Sequence, residues 1–395
     1  MTRPAYDVVI VGGAIYGSAV AWFLASDPDF DGSVLVVERD PTYARAGSSL
    51  TNSCIRQQFT TALNVRISQF GAAYVKDFRA RMGLGDEVPH LRLHSFGYMY
   101  LAGTPAAAEA LRAAQALQAS LGAGTRHMTP DQIAVDYPFY DLDGILAGNH
   151  NPVDEGYFDG GTMFDWWRRG ARRKGVTFLT DEVVALTRDG DRITGVRLRD
   201  GGEVSCGWLV NAAGTRGAQV AGMAGLDIPV EPRKRFTFVF QAAEPLDRDL
   251  PLTIDPSGVH VRTDGRYYMA GCPPDDDRAV DPDDFAMDPD IWMDKVWPAI
   301  ATRIPAFERV KVINEWAGHY DYNTLDQNAI LGPHPQVGNF LFCNGFSGHG
   351  LQQSPAVARG IAEWIAHGAY RTIDLTPLAF DRIARNAPAL ETAII

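Results

Sequence analysis

Gly12-Gly-Ala-Ile-Tyr-Gly17 stands between a β-branched run, Tyr6-Asp-Val-Val-Ile-Val11, and a stretch of helical composition, Ala14 to Ala25. Glycine at position 12 permits a tight strand-to-helix turn, and glycine at position 17 permits close packing of helix on strand. Ala14 replaces the usual middle glycine and narrows the approach to a pyrophosphate. The helix N-terminus, with Ile15 and Tyr16 in its first turn, still offers free N–H groups and the positive end of its dipole. A second run, Ser33-Val-Leu-Val-Val-Glu38, ends in an acid followed by Arg39. A carboxylate there accepts hydrogen bonds from ribose hydroxyls and repels a 2′-phosphate. The combination predicts a site for FAD or NAD rather than NADP, and by itself does not choose between the two.

Other small-residue stretches could lie against the same ligand. Trp208-Leu-Val-Asn-Ala-Ala-Gly214 reads as an internal strand beside the first, with Ala212, Ala213 and Gly214 leaving room for a cofactor. It has no GxGxxG, so no second dinucleotide is expected. Gly47, Ser48 and Ser49 follow the second strand in a loop whose hydroxyls can bond pyrophosphate or ribityl oxygens, and Val183 joins the expected contacts. Gly345-Phe-Ser-Gly-His-Gly350 is a loop whose backbone, at Gly345, Gly348 and Gly350, can approach a ligand closely, with His349, Leu351 and Gln352 beside it. A helix follows, with Ser354 and Pro355 resembling its cap and first-turn proline. Tyr267, Tyr268, Tyr320 and Tyr322 offer aromatic faces that stabilise an ammonium group and wall off a reacting carbon; plain packing in strands is the competing reading.

Those groups need a scaffold larger than one βαβ unit. A chain of 395 residues, 46% hydrophobic and 21% charged, has core enough for two or three domains and a large pocket. Its net charge of −12 disfavours nucleic acid and anionic membrane surfaces as partners. Cys54, Cys206, Cys272 and Cys343 lie far apart with no CxxC pair. Neither a disulfide framework nor a metal site is therefore expected, and a reducing cytoplasm fits. The apolar stretch Val8 to Ala25 is interrupted by Gly12, Gly13 and Gly17 and reads as fold rather than signal peptide. No run approaches the roughly 20 apolar residues of a membrane span, so a soluble, cytoplasmic protein is expected. Pro105 to Ala119 reads as an alanine-rich helix and Pro273 to Pro289 as surface loop.

The N-terminal unit, Val210-Asn-Ala-Ala-Gly214, Trp316-Ala-Gly-His-Tyr-Asp-Tyr-Asn-Thr-Leu-Asp-Gln-Asn328, Leu331-Gly-Pro-His-Pro335 and Asn344-Gly-Phe-Ser-Gly-His-Gly-Leu-Gln-Gln-Ser354 form one set. This set resembles the FAD-dependent oxidoreductases of the D-amino-acid oxidase and sarcosine oxidase family, including a mitochondrial branch linked to complex I assembly. The resemblance runs from Tyr6 to nearly Ile395. It implies an α/β fold: a Rossmann-type FAD-binding domain from residues 1–85, 150–225 and 320–395, and a discontinuous second α+β substrate domain from 86–149 and 226–319. It implies noncovalent FAD. Family members with covalent flavin use a cysteine near the segment Gly318-His-Tyr-Asp-Tyr322 or a histidine after the second strand, and neither matches cleanly. His319 reads better as a hydrogen-bonding core histidine than as an attachment.

The resemblance also places Arg56, in Cys54-Ile-Arg-Gln-Gln-Phe59, where a planar guanidinium would hold a substrate carboxylate over the flavin. It sets the loop before Gln352 at the pyrimidine edge, where negative charge develops as hydride arrives at N5. Unlike sarcosine oxidase, the chain has no lysine near Gln352 and none in Arg266-Tyr-Tyr-Met-Ala-Gly-Cys272. That puts fast reaction with O2 in doubt and makes another electron acceptor credible.

The expected activity is oxidation of an amino acid or N-alkyl amino acid, sarcosine-like or iminodiacetate-like. Arg56 binds the carboxylate, Tyr268 and Tyr320 line the pocket, the ammonium loses a proton, hydride passes to N5 and the imine hydrolyses. The implied partners are that small-molecule amine and O2 or another acceptor. Two other readings stay open. A 2-hydroxy acid could be oxidised on the same flavin, with His349 as a base poised near neutral pH. Alternatively FAD is structural, in a noncatalytic assembly factor.

Overall fold

Val8, Val9, Ile10 and Val11 are all buried, as an apolar run in a parallel sheet covered on both faces must be. In this computed structural model, which describes residues 4–393, strand Ala5–Val11 pairs in parallel with Val34–Glu38 on one side and Glu203–Asn211 on the other. The helix Ile15–Ser26 connects the first two strands and completes the βαβ unit. Across the sheet the order is Ile330–Pro333, Phe340–Asn344, Glu203–Asn211, Ala5–Val11, Val34–Glu38, Thr177–Thr180. An antiparallel hairpin, Val183–Asp189 with Arg192–Leu198, attaches to Glu203–Asn211.

Helices cover this sheet. Ile15–Ser26 packs on Gly160–Arg173 and on Gly350–His367, and Ala62–Lys76 packs on Gly350–His367. Trp22, Tyr74, Trp167 and Ile361 are buried in the core they form, and burying such a side chain contributes roughly 1.5–3 kcal/mol. Gly350–His367 starts earlier than expected. Its N-cap is His349, so Ser354 and Pro355 lie inside the helix. Pro355 has no N–H to offer the Leu351 carbonyl, and the Ser354 hydroxyl donates to it at 2.7 Å instead.

A second sheet of eight strands runs Val310–Asn323, Val230–Ala242, Tyr267–Cys272, His260–Asp264, Leu252–Ile254, Tyr98–Ala102, Ala147–Asn151, Arg126–Met128. Phe236, Phe238, Phe240, Ile300 and Phe307 are in its core. The expected boundaries at 150 and 320 fall inside strands. Pairing with Tyr98–Ala102 carries one strand to Asn151, and pairing with Val230–Ala242 carries the other to Asn323. The alanine-rich helix, Pro105–Ser120, is mostly exposed. No helix among the described residues is long and apolar enough to cross a membrane.

Candidate active site

The carboxyl ends of the parallel strands open into a cavity of about 2230 Å³, open solvent at its mouth included, which continues to the second sheet. This is where an open α/β sheet places a ligand. Gly12 has φ +96°, and a Cβ there would lie 2.5 Å from the Ala212 carbonyl oxygen. A Cβ on Gly17 would lie 1.8 Å from the Gly12 carbonyl oxygen. The first would push the turn off the end of the neighbouring strand, and the second would drive the helix away from the turn. Ala14, the N-cap of the helix Ile15–Ser26, makes no side-chain cap bond. Ile15 N donates to Ser48 Oγ at 3.3 Å, leaving the Ser48 hydroxyl proton to give.

Glu38 Oε2 accepts from Gly13 N at 2.7 Å and Oε1 from Asp40 N at 2.8 Å. Burial raises its pKa against those bonds. Each oxygen keeps a second lone pair for a ribose hydroxyl. A turn with no space for a Cβ, a helix end whose N-cap residue makes no side-chain cap bond and a half-buried acid with spare acceptor capacity fit the pyrophosphate and ribose of FAD.

Gly12, Ala14, Ile15, Tyr16, Glu38, Arg39, Gly47, Ser48, Val183, Ala212, Ala213 and Gly214 border this end of the cavity, and Gly348, His349, Gly350, Leu351 and Gln352 border it further along. Three expected contacts do not border it. Gly17 lies beneath the turn against Gly12. Ser49 N closes a local turn on the Ala46 carbonyl at 2.9 Å, and Gly345 N is taken by Asp321 Oδ2 at 2.9 Å. Tyr16 ties the two chain ends together: its ring stacks on Phe346 at 4.0 Å and its hydroxyl donates to the Gly350 carbonyl at 2.7 Å.

At the other end lies Arg56, only 4% exposed. Its guanidinium sits over Phe59 at 4.4 Å and near Tyr98 at 5.8 Å, and donates to the Ala393 carbonyl. Its Nε has no partner among the described residues. Arg235 and Arg262 also border or approach the site, but Arg235 is paired with Asp277 at 2.8 and 3.0 Å and Arg262 with Asp264 at 2.9 Å. Among these three cations Arg56 alone has no carboxylate within ion-pair distance among the described residues. Arg56 N donates to Gln352 Oε1 at 2.8 Å. The next two residues are held by Glu155, which accepts from Gln57 N at 2.7 Å and Gln58 Nε2 at 2.9 Å. Burial pushes the Glu155 carboxyl up to about 8.

His349 is 1% exposed, edge-on to Phe59 at 5.4 Å, and neither ring nitrogen has a partner among the described residues. Burial first, and the Arg56 charge second, hold its pKa down to about 3. The expectation of a base poised near neutral pH is therefore corrected: the guanidinium that suits an anion penalises a second cation. Tyr320 borders the cavity, packed so closely under the loop that a Cβ on Gly348 would lie 2.2 Å from its ring, with Arg235 4.6 Å from the ring centre.

Tyr268 does not reach the site. It pairs with Phe240, four residues along the strand from Phe236, which does border the cavity, a separation of about 13 Å at strand rise. Its hydroxyl accepts from Leu246 N at 2.8 Å and its ring packs on Phe307 at 4.6 Å. Tyr267 and Tyr322 are likewise outside the cavity lining, beside Arg266 and Arg233 at 4.8 and 4.2 Å. His319 borders the cavity and bonds through Nε2 to the Asp284 carbonyl at 2.8 Å. The stretch read as surface loop contributes Pro282 and Asp283 to the cavity wall, with Asp283 paired to Arg216 and, at 3.9 Å, Arg39. Phe59, Tyr98, Asn52, Arg235 and His260 also shape the site and were not anticipated. Phe59 and Asn52 lie three and four residues from Arg56 in the sequence; Tyr98, Arg235 and His260 are brought in by strand register.

Over residues 7–364 the chain matches the family described as FAD dependent oxidoreductase. It is 37% identical over 423 aligned residues to FAD-dependent oxidoreductase domain-containing protein 1 of Bos taurus, covering 98% of this chain and 87% of that protein. Among solved structures, L-proline dehydrogenase from P. horikoshii superposes with a TM-score of 0.83 at 23% identity, covering 97% of this chain and 99% of that one. Glycine oxidase from Geobacillus kaustophilus superposes with a TM-score of 0.79 at 19% identity, covering 95% and 98%. These two likenesses are likenesses of fold.

Proposed function

The chain belongs to the DAO family of FAD-dependent oxidoreductases, and from that premise we propose that it oxidises an amino acid or N-alkyl amino acid bound through its carboxylate to Arg56. The observation that carries this reading is a buried guanidinium beside the cavity with no anionic partner among the described residues, in a site where Arg235 and Arg262 both have one. The Glu391 carboxylate acts on Arg56 only from beyond ion-pair distance, and a buried cation without a directly paired anion is costly, so a substrate carboxylate would supply that pairing. The two fold relatives, a dehydrogenase of proline and an oxidase of glycine by name, act on the same substrate class.

Bound FAD supplies a two-electron acceptor for the hydride leaving the carbon that bears nitrogen. Gly12 to Tyr16, Glu38 and Ser48 hold the cofactor noncovalently. Arg56 fixes the carboxylate, and Phe59, Tyr98 and Tyr320 exclude water around the reacting carbon. The ammonium proton leaves to solvent before reaction, since His349 is neutral and too weakly basic to take it at physiological pH. Its acceptor nitrogen is free to hold an amine N–H and orient the lone pair. The imine then leaves and hydrolyses. Oxidation of a 2-hydroxy acid asks more, because a base must take the hydroxyl proton, and the surroundings of His349 oppose that role.

The test is anaerobic addition of primary, N-methyl and N-carboxymethyl amino acids to the holoenzyme, followed by visible absorbance. Bleaching by at least one is expected. Bleaching by 2-hydroxy acids alone would overturn the amine reading, and no bleaching by any compound would leave FAD in a structural role.

A further inference from the structure

Arg56 is held from a distant part of the chain. Glu391, 0% exposed, accepts from Thr60 N at 2.9 Å, Thr60 Oγ1 at 2.6 Å, Thr61 N at 3.2 Å, Thr61 Oγ1 at 3.0 Å and Asn64 Nδ2 at 3.0 Å. Thr61 is the N-cap of the helix Ala62–Lys76, and its own side chain does not cap it. The Glu391 carboxylate sits at that helix end instead, where the dipole favours an anion. Burial works against its ionisation, but the bonds from Thr60, Asn64 and Ala393 outweigh it and hold the carboxyl below its ordinary pKa.

Glu391 Oε1 also accepts from Ala393 N at 3.0 Å, closing a turn whose next carbonyl, that of Ala393, receives the Arg56 guanidinium. Ala393 packs against the small apolar cluster of Phe59, Val65 and Ala123, and Phe59 is the ring beneath that guanidinium. Upstream, Ala389 N donates to Asp326 Oδ2 at 3.0 Å and Glu391 N to the Asp326 carbonyl at 3.0 Å. The segment is thus fixed on both sides of Glu391.

We propose that Glu391 is a positioning residue for substrate binding: by clamping residues 391–393 to the start of the helix Ala62–Lys76, it holds one edge of the Arg56 guanidinium through the Ala393 carbonyl and leaves the remaining N–H groups for a carboxylate. The guanidinium has five N–H donors in a rigid fork, so tying one edge over a fixed ring sets the direction of the rest. The inference rests on Arg56 as the carboxylate site.

The experiment measures the Kd of benzoate, a simple aromatic carboxylate, from its perturbation of the flavin spectrum. The parent holoenzyme is compared with Glu391→Gln, Thr60→Val and Arg56→Ala. In Glu391→Gln an amide NH2 replaces an acceptor among the Thr61 and Asn64 donors and loosens the clamp. The expected result is a rise of about tenfold in benzoate Kd for Glu391→Gln and a smaller rise for Thr60→Val. With an amino-acid substrate the effect should fall on KM more than on kcat. A lowered melting temperature with benzoate Kd within about twofold of the parent would make Glu391 purely structural and overturn the proposal. If Glu391→Gln does not fold, an unshifted Kd in Thr60→Val overturns it equally. If benzoate fails to bind the parent, or binds Arg56→Ala as well as the parent, the Arg56 reading itself fails and the proposal with it.

Discussion

The side-chain oxygen of Gln352 accepts the backbone N–H of Arg56 at 2.8 Å, across 296 positions of sequence. The first turn of the helix Gly350–His367 thereby fixes the backbone from which the candidate carboxylate-binding side chain departs. Replacing Gln352 by Leu strands a buried N–H, at a cost of about 1–3 kcal/mol. Urea denaturation should show a lowered midpoint and substrate titration a raised KM; an unchanged KM would disconnect this bond from binding.

Arg56→Ala removes the fork that holds the carboxylate, and Arg56→Lys keeps the charge without the fork. A hydrogen bond to a charged group is worth about 1.5–3 kcal/mol, so kcat/KM should fall roughly 10- to 150-fold in Arg56→Ala, with the lysine variant between it and the parent. A decarboxylated amine serves as control. If its turnover falls by the same factor, Arg56 is not reading the carboxylate.

Gly17→Ala brings a Cβ to within 1.8 Å of the Gly12 carbonyl oxygen, which is backbone and has nowhere to go. The helix must leave the strand and the dinucleotide turn must open. Purified Gly17→Ala protein should have lost its yellow colour, and full retention of FAD would contradict the packing described.

Stability should respond to pH in two opposing ways. His260, His349 and His150 are held down to about 3, about 3 and about 4, by burial first and by neighbouring arginines second. An unfolded histidine titrates near about 6.5. The unfolded chain therefore takes up protons that the native state refuses, and stability is whole above pH 6.5 and falls as pH drops, by at most about 1.4 kcal/mol per unit for each histidine. Glu155 acts in the other direction. With its carboxyl pushed up to about 8, the native state keeps a proton that the unfolded chain releases above about 4.3, so this contribution fades as pH rises to 8. Urea midpoints should climb to about pH 6.5 and then decline gently, and Glu155→Gln should remove the decline. An equally steep decline in that variant would sink the assignment to Glu155.

No lysine is among the residues bordering the cavity. Once reduced by substrate, the enzyme should regain its colour slowly in air and faster with an added dye acceptor. Instant reoxidation on admitting air would identify an oxidase that activates O2 by other means.

The dinucleotide end was legible because its signals are local: the β-branched run, the glycine turn and the acid of the next strand follow one another directly. The Arg56 end was legible only through resemblance. Nothing near Tyr98, Arg235 or His260 in sequence says that they line one cavity with Arg56, since pairing between remote strands decides it. The same pairing sends Tyr268 opposite Phe240 and away from the cavity, which no local pattern of tyrosines reveals. The start of the helix Gly350–His367 was misplaced for a different reason. Proline usually marks a first turn, and here the Ser354 hydroxyl satisfies the carbonyl that an internal proline leaves without its usual donor.

The stacking of Tyr16 on Phe346, with its hydroxyl on the Gly350 carbonyl, also bears on biosynthesis. Tyr16 leaves the ribosome 330 residues ahead of Phe346, and at about 5–20 residues per second many seconds pass before Phe346 and Gly350 emerge. Until then the nucleotide turn has no roof, so this wall of the flavin site is completed only after the Phe346 to Gly350 loop has emerged.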